Sequence, residues 1–278
     1  MLRLAFAAAA LFAATPGLGQ SLQDPLPDPN DQSDTFSIGA GAGIIPDYEG
    51  SDDYEFIPVV GIRGRYNGFN FYSRSTYLYV DFIRRGDSPV EFDLGPIVGA
   101  RFNRTGKVDD NRVDALKERD VAFEVGGFAG VTYHGLTNPY DALSFHVDVS
   151  TDVSGAHGST LITPTLDFGT PLSTTTYVAL SASAEWAGDG YADYYYSIGP
   201  NGSLASGLPQ FDADGGFKHW RLGLFANQSI SGDLTHGWSI FGTGLYPKLS
   251  GDFADSPIVD EAGSSSQWFG ALGVAYTF

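Results

Sequence analysis

Five histidines, His134, His146, His157, His219 and His236, are the side chains best suited to acid–base or nucleophilic work near neutral pH. None stands in the His-Glu-x-x-His spacing that holds zinc on a helix, and neither a Gly-x-Ser-x-Gly elbow nor a phosphate-binding P-loop occurs. His157 lies two residues from Ser159, with Asp152 nearby, a set that could serve a serine–histidine lipid hydrolase. The run Ser154-Gly155-Ala156-His157-Gly158 reads more readily as a turn. Gly39-Ala40-Gly41-Ala42-Gly43 has the glycine density of a nucleotide loop, but no helix follows and its alternate residues are apolar. Asp212-Ala213-Asp214-Gly215 opens like a calcium loop and lacks the third ligand position and the distal glutamate. The chain has no cysteine, which excludes disulfides, cysteine–zinc sites and lipid attachment through a lipobox. The expectation is a protein that is not an enzyme, with no catalytic residue, no cofactor and no metal.

The elements that would have to position any chemistry begin after a leader. Arg3, the apolar run Leu4 to Ala14, the break Thr15-Pro16-Gly17 and small residues to Gly19 predict a secretory signal peptide over 1–19, cut near Gly19-Gln20. Residues 20–33, with Pro25, Pro27 and Pro29 among acids, predict a flexible periplasmic tether. No later segment has 18 consecutive apolar residues, so a membrane-spanning helix is not expected, and a closed β-barrel is the remaining way to cross lipid.

Period-two alternation runs through the rest, residues 34–278. Phe36, Ile38, Ala40, Ala42 and Ile44 oppose serine and glycine; Tyr54, Phe56, Pro58, Val60 and Ile62 oppose Glu55, Gly61, Arg63 and Arg65; Leu143, Phe145, Val147 and Val149 oppose Ser144, His146, Asp148 and Ser150. Similar segments near 68–74, 76–83, 90–103, 121–134, 159–170, 174–187, 217–231 and 236–248, with the terminal strand, give about twelve. The fold class predicted is all-β, a transmembrane antiparallel up-and-down β-barrel. Arg63, Arg65, Arg101, Glu124, Asp148, Glu185 and Arg221 are predicted lumen charges, together with Glu91, Asp93 and Asp167, and charges of opposite sign in a lumen should pair. Pro58, Pro96 and Pro164 fall inside predicted strands and should each mark a bulge or a misplaced boundary.

The long connections, 46–53, 104–120, 188–216 and 249–265, share one parity, and the short ones share the other. With the N-terminus in the periplasm, the long class faces outward. The segments 47–55, 103–120, 188–216 and 249–265 carry eighteen acids and five bases, −13 of the net −18, so the outer rim is expected to be anionic. That charge speaks against nucleic acid as a partner and leaves outer-membrane lipid and lipopolysaccharide. Trp186, Trp220, Trp238 and Trp268 fall near predicted strand ends and suit an aromatic girdle. Tyr276 and Phe278 close a final alternating strand that resembles the signal read by the outer-membrane barrel assembly machinery.

Several motifs together, Gly39 to Gly43, Pro46-Asp47-Tyr48-Glu49-Gly50-Ser51 followed by Tyr54 and Pro58, Asp109-Asp110-Asn111 with Leu116, Glu124-Val125-Gly126, and Tyr276-Thr277-Phe278, resemble the MipA/OmpV family of MltA-interacting proteins. The resemblance implies an outer-membrane barrel that scaffolds a murein lytic transglycosylase with a murein synthase, and supplies no catalytic or ligand motif. Two other readings stay open at this point. One is a small-solute channel through the mixed-charge lumen. The other is a surface adhesin or antigen acting through the long acidic loops, with Tyr191, Tyr194, Tyr195 and Tyr196 as contact aromatics.

Overall fold

Strict alternation gives each strand one apolar face and one small or polar face, and a sheet of such strands hides its edges by closing on itself. In a computed structural model, which describes residues 10–11, 33–84 and 88–278, twelve antiparallel strands do this. They are β1 Thr35–Pro46, β2 Tyr54–Tyr66, β3 Phe69–Ser75, β4 Tyr77–Asp81, β5 Val90–Arg101 and β6 Ala122–His134. The second half comprises β7 Ala142–Asp152, β8 Thr160–Pro171, β9 Thr176–Ala187, β10 Gly216–Ser229, β11 Gly237–Leu249 and β12 Phe269–Thr277. Each pairs with the next, and β12 returns to β1, where the Phe278 N–H donates to the Phe36 carbonyl at 2.9 Å. A two-residue strand, Ala10–Leu11, pairs with Ser75 and Arg74 and is not part of the ring. The expected leader over 1–19 and tether over 20–33 otherwise lie outside the described residues, Ser33 excepted.

The outward face is a continuous apolar band, with Phe56 83% and Leu272 70% exposed. A patch of this extent on a monomer is made for lipid rather than water. Among the described residues, no helix is long and apolar enough to cross a membrane; the strands do the crossing.

The three prolines do not mark bulges or strand ends. Each sits inside a strand beside a missing rung of the ladder. Ser73 Oγ accepts from the Ile62 N–H at 3.0 Å and donates to the Ile62 carbonyl at 3.3 Å, so the backbone of Ile62 points toward β3. Pro58 has the same parity and points the same way. β3 pairs with β2 only over Arg63–Tyr66, and the β3–β4 hairpin turns back at Ser75 and Thr76. Among the described residues no strand is paired with Tyr54–Gly61 on that side, and Pro58 has no rung to break. On β5 the Phe82 N–H donates to the Leu94 carbonyl at 2.9 Å, which turns Pro96 toward β4, whose ladder with β5 ends at Tyr79 opposite Ile97. The β8–β9 ladder skips from Thr165–Ser183 to Ile162–Trp186, and Pro164 lies in the gap.

Gly126, in the Glu124-Val125-Gly126 motif, allows a close approach of β7. A Cβ there would lie 2.0 Å from the Val149 carbonyl oxygen and 2.7 Å from the Ser150 Cα. Neither backbone atom can step aside, so Gly126→Ala should destabilise the barrel by about 1–3 kcal/mol, the usual cost of overpacking. A lower urea midpoint of the refolded protein in detergent is the readout.

The turns at one end of the barrel are short. At the other end, here the loop end, the long connections carry five short helices: α1 Asn111–Asp114, α2 Asp189–Tyr196, α3 Pro200–Ser206, α4 Asp252–Asp255 and α5 Pro257–Asp260. Asp110 caps α1 by accepting from the Arg112 and Val113 N–H groups. Tyr48, Val108, Val113, Leu116, Ile198, Leu208, Ile258 and Ala262 form a core built by the loops themselves. Tyr48 anchors it by donating to the Ala262 carbonyl at 2.6 Å.

Candidate functional site in the lumen

The loop core folds inward. Helix α2 carries Tyr191, Tyr195 and Tyr196 into the mouth of the barrel, where all three are buried against Leu161, Leu249 and Phe253. They present no surface to an outside partner, which removes them as contact aromatics. Tyr191, 0% exposed, stands at the centre of a buried polar network. Its hydroxyl donates to Glu49 Oε2 at 2.5 Å and accepts from Lys218 Nζ at 3.2 Å. Lys218, also 0% exposed, forms ion pairs with Glu49 at 2.7 Å and with Glu185. Its ammonium lies 4.5 Å from the Tyr191 ring centre, and the Arg101 guanidinium lies 5.1 Å from it. On the other flank Arg101 Nε donates to Glu124 Oε1 at 2.7 Å, and Ser150 Oγ donates to Glu124 Oε2 at 2.9 Å.

Lys218 was not legible as a lumen residue, because period-two alternation puts it outside with Trp220 and Leu222. The register between β9 and β10 shifts at Glu185/Trp186: Glu185 pairs with His219 and Trp186 with Phe217. Lys218 is the extra residue of that bulge, so Lys218 and His219 are both buried. Glu49 lies in the turn after β1, within the Pro46 to Ser51 motif, and reaches down from the loop. Tyr191 falls in a predicted loop, where no periodicity marks a residue for burial.

Burial works against ionisation of Glu49, but the Lys218 ammonium and then the Arg101 guanidinium outweigh it and hold the carboxyl at about 2, below its ordinary 4.5. A depressed carboxyl stabilises the fold fully above the unfolded value and loses that stabilisation as pH falls through the folded one. The contribution of Glu49 should therefore be complete above about pH 4.5 and vanish toward pH 2. Glu49→Gln should flatten the acid limb of a plot of unfolding midpoint against pH; an unchanged limb would mean that other carboxylates set it. Burial raises the Tyr191 phenol well above its usual range, so it stays a donor throughout.

Lower in the barrel, Asp148 accepts from the Tyr79 hydroxyl at 2.8 Å and lies 3.7 Å from His146. Arg221 Nε donates to Ser183 Oγ at 3.1 Å on the neighbouring strand. Arg74, absent from the predicted lumen set, crosses to β8 and pairs with Asp167 at 3.0 Å while contacting His146 at 3.0 Å. Arg63 and Arg65 line a cavity of about 150 Å³ toward the end where the turns lie, with Asp81, Glu91 and Asp93 on its wall. The side spanned by β9 to β12, β1 and β2 is instead filled by an apolar cluster that includes Val59, Tyr177, Phe225 and Phe241.

His157 and Ser159 do not form a nucleophile–base pair. His157 Nδ1 accepts the backbone N–H of Ser159 at 3.2 Å, and its Nε2 lies 3.4 Å from Glu124. Among the described residues, three potential metal ligands converge at Glu49–Glu185–His219 and at Asp81–Glu91–Asp93, neither of which includes Asp212 or Asp214. Lys218 already supplies the cation at the first of these. Trp186, Trp220 and Trp268 lie toward the loop end and Trp238 toward the turn end, each on the exposed face. At the turn end the rings of Trp238, Tyr276, Phe278, Phe36 and Phe71 form a chain of contacts with centroids 4.7 to 6.2 Å apart.

The profile of the family described as MltA-interacting protein MipA matches residues 38–278, nearly the whole barrel. The chain belongs to the MipA family. Two relatives, each named MltA-interacting protein, one from Escherichia coli strain K12 and one from Shigella flexneri, are 24% identical over 253 residues, which cover 87% of this chain and 90% of theirs. Among solved structures, the NanC porin aligns with a TM-score of 0.43 at 10% identity, covering 87% of this chain and 98% of its own. An outer-membrane channel from Pseudomonas putida F1 aligns with a TM-score of 0.44 at 12% identity, covering 90% and 99%. In this MipA-family chain, the motif residues Tyr48, Glu49 and Gly50 knit the loop core to the lumen. Gly50, at φ +106°, packs so close to Val259 that a Cβ would lie 2.4 Å from its Cγ2.

Proposed function

We propose that this MipA-family barrel resides in the outer membrane and acts there without chemistry of its own, as a scaffold that offers its turn end, in the periplasm, to a murein-remodelling enzyme. The observation that carries this reading is the filling of the lumen. Tyr191, Lys218, Glu49, Glu185, Arg101 and Glu124 form one network that crosses the lumen from β5 and β6 to β9 and β10 beneath the loops. A filled lumen opposes free diffusion of solutes through the barrel, and it gives a scaffold the rigidity it needs. The relatives' name supports a murein transglycosylase of the MltA kind as the partner, with a murein synthase as a second. The acidic loops then face lipopolysaccharide, the tryptophans form the girdle at the headgroups, and Tyr276 and Phe278 serve recognition by the assembly machinery.

Pull-down from solubilised envelopes should recover a lytic transglycosylase with the tagged barrel, and planar-bilayer recording of the refolded protein should show no steady current. Recovery of lipid and assembly factors alone would overturn the scaffold, and ion-selective steps from the intact protein would move the reading to a channel.

A further inference from the structure

At the turn end, away from the stopper that Tyr191 and Lys218 form beneath the loops, the outer wall carries an apolar groove with a polar rim. Phe36, Gly64, Phe71 and Val80 stand opposite one another in a row across β1, β2, β3 and β4, on the outward face. The glycine leaves a dip that the Phe71 ring fills, so that a Cβ on Gly64 would lie 2.5 Å from the Phe71 Cζ. The ring therefore lies down on the wall instead of standing out into lipid. Around it Phe36, Tyr66, Phe69, Phe82 and Phe278 bound a groove of about 810 Å³. Tyr66, Phe82 and Phe278 are each more than half exposed, so the groove opens sideways into the bilayer.

The groove runs into a second, polar space of about 630 Å³, which shares Asp34, Tyr66 and Phe69 with it and adds Asn67, Gly68 and Arg84. Asn67 and Gly68, both left-handed at φ 51° and 80°, make the tight β2–β3 turn. Asp34 is fixed beside that turn by accepting the Asn67 N–H at 2.8 Å. The Arg84 stem passes Gly68 where a Cβ would lie 3.4 Å from its Cγ, and the guanidinium is 4.8 Å from the Phe69 ring centre. Arg84 is exposed, and among the described residues no acid forms an ion pair with it. The other short turns, 135–141, 172–175 and 230–236, contain no lysine or arginine. The positive charge of the short turns therefore falls between β4 and β5, next to this groove.

An apolar groove that ends at a cation and an acid matches an amphiphile with a zwitterionic head. A guanidinium offers paired donors to a phosphate, a neighbouring carboxylate accepts from an ammonium, and rings such as Tyr66 sit at the headgroup level of a bilayer. We propose that the groove and its rim are a binding site for an ethanolamine phospholipid, whose acyl chain lies over Phe71, whose phosphate meets Arg84 and whose ammonium meets Asp34. An anionic lipid satisfies Arg84 but sets its charge against Asp34, and a choline head has no N–H to give Asp34. The site goes beyond the scaffold reading and does not depend on it, because it requires only that the barrel sit in a bilayer.

Native mass spectrometry of the refolded protein tests the site, with release from micelles that hold equal amounts of phosphatidylethanolamine, phosphatidylglycerol and phosphatidylcholine of identical acyl chains. The ethanolamine lipid should be retained at least ten-fold over each of the others. Arg84→Gln should cut that retention at least ten-fold while Arg84→Lys keeps most of it, and Asp34→Asn should abolish the preference for ethanolamine over glycerol. Phe82→Ser, which opens the groove wall, should lower retention of the ethanolamine lipid while both rim charges stay. Heat-modifiable migration shows that each variant is folded. Equal retention of the three lipids, stronger retention of the glycerol lipid, or a preference that survives both Arg84→Gln and Asp34→Asn overturns the site.

Discussion

Replacing Lys218 with methionine should lower the stability of the folded barrel by about 3–5 kcal/mol, the range seen when one member of a buried ion pair is removed. The length and stem of the side chain are kept, so the loss measures the charge. Two carboxylates, Glu49 and Glu185, depend on this one ammonium at 0% exposure, and Tyr191 accepts its third hydrogen. Without it both acids face each other beneath the loop core, with His219 beside them carrying no hydrogen bond at either ring nitrogen among the described residues. The readout is the temperature at which the compact, fast-migrating form is lost, or the urea midpoint. Lys218→Met combined with Glu185→Gln should recover part of the loss, because neutralising one acid removes the repulsion that the methionine exposes. If the single variant is as stable as the parent, the ammonium is not what holds the network together. If the double variant is worse than the single, Glu185 has a second cation that matters more.

The residue that carries this expectation shows where sequence reading stops. The barrel was legible because alternation is a local property: once Phe36, Ile38 and Ile44 face lipid, Gly39, Gly41 and Gly43 must face inward. The count of twelve strands and the parity of the loops follow from the same pattern. A bulge is not local in this sense. The alternation does break between Phe217 and Trp220, where Lys218 and His219 stand side by side, but only the partner strand shows that Lys218 is the extra residue, opposite Glu185 and Trp186. The prolines failed for a related reason. A closed ring implies a neighbour on every flank, and nothing in Phe69–Ser75 announces that β3 would turn back before reaching Pro58. Charges predicted from parity alone, such as Arg101, Glu124 and Glu185, could be named, and Arg101 and Glu124 pair with each other, but the network that joins them is completed from outside the strands. Glu49 and Tyr191 reach them from turns and helices whose inward fold has no period to read.

Cutting out the stopper should open the barrel, though not by itself completely. Two closures lie in series. The first is the loop core, with Tyr191, Tyr195 and Tyr196 in the mouth. The second is Arg74, which crosses the lumen to Asp167 and touches His146. The remaining width is occupied by the apolar cluster around Val59, Phe225 and Phe241, so current must pass on the polar side. A variant in which residues 190–212 are replaced by a short Gly-Ser link should therefore conduct only weakly in a planar bilayer, and Arg74→Ala alone should stay silent because the mouth is still filled. The two changes together should give steady conductance at least ten-fold above either one, since resistances in series fall sharply only when both are removed. If Arg74→Ala alone conducts as well as the double variant, the loops do not close the mouth, and the scaffold reading loses the observation it rests on. If the double variant is silent while folded, the apolar cluster fills more of the lumen than its named residues account for. The barrel is then solid along its length, a stronger case against transport than the stopper makes.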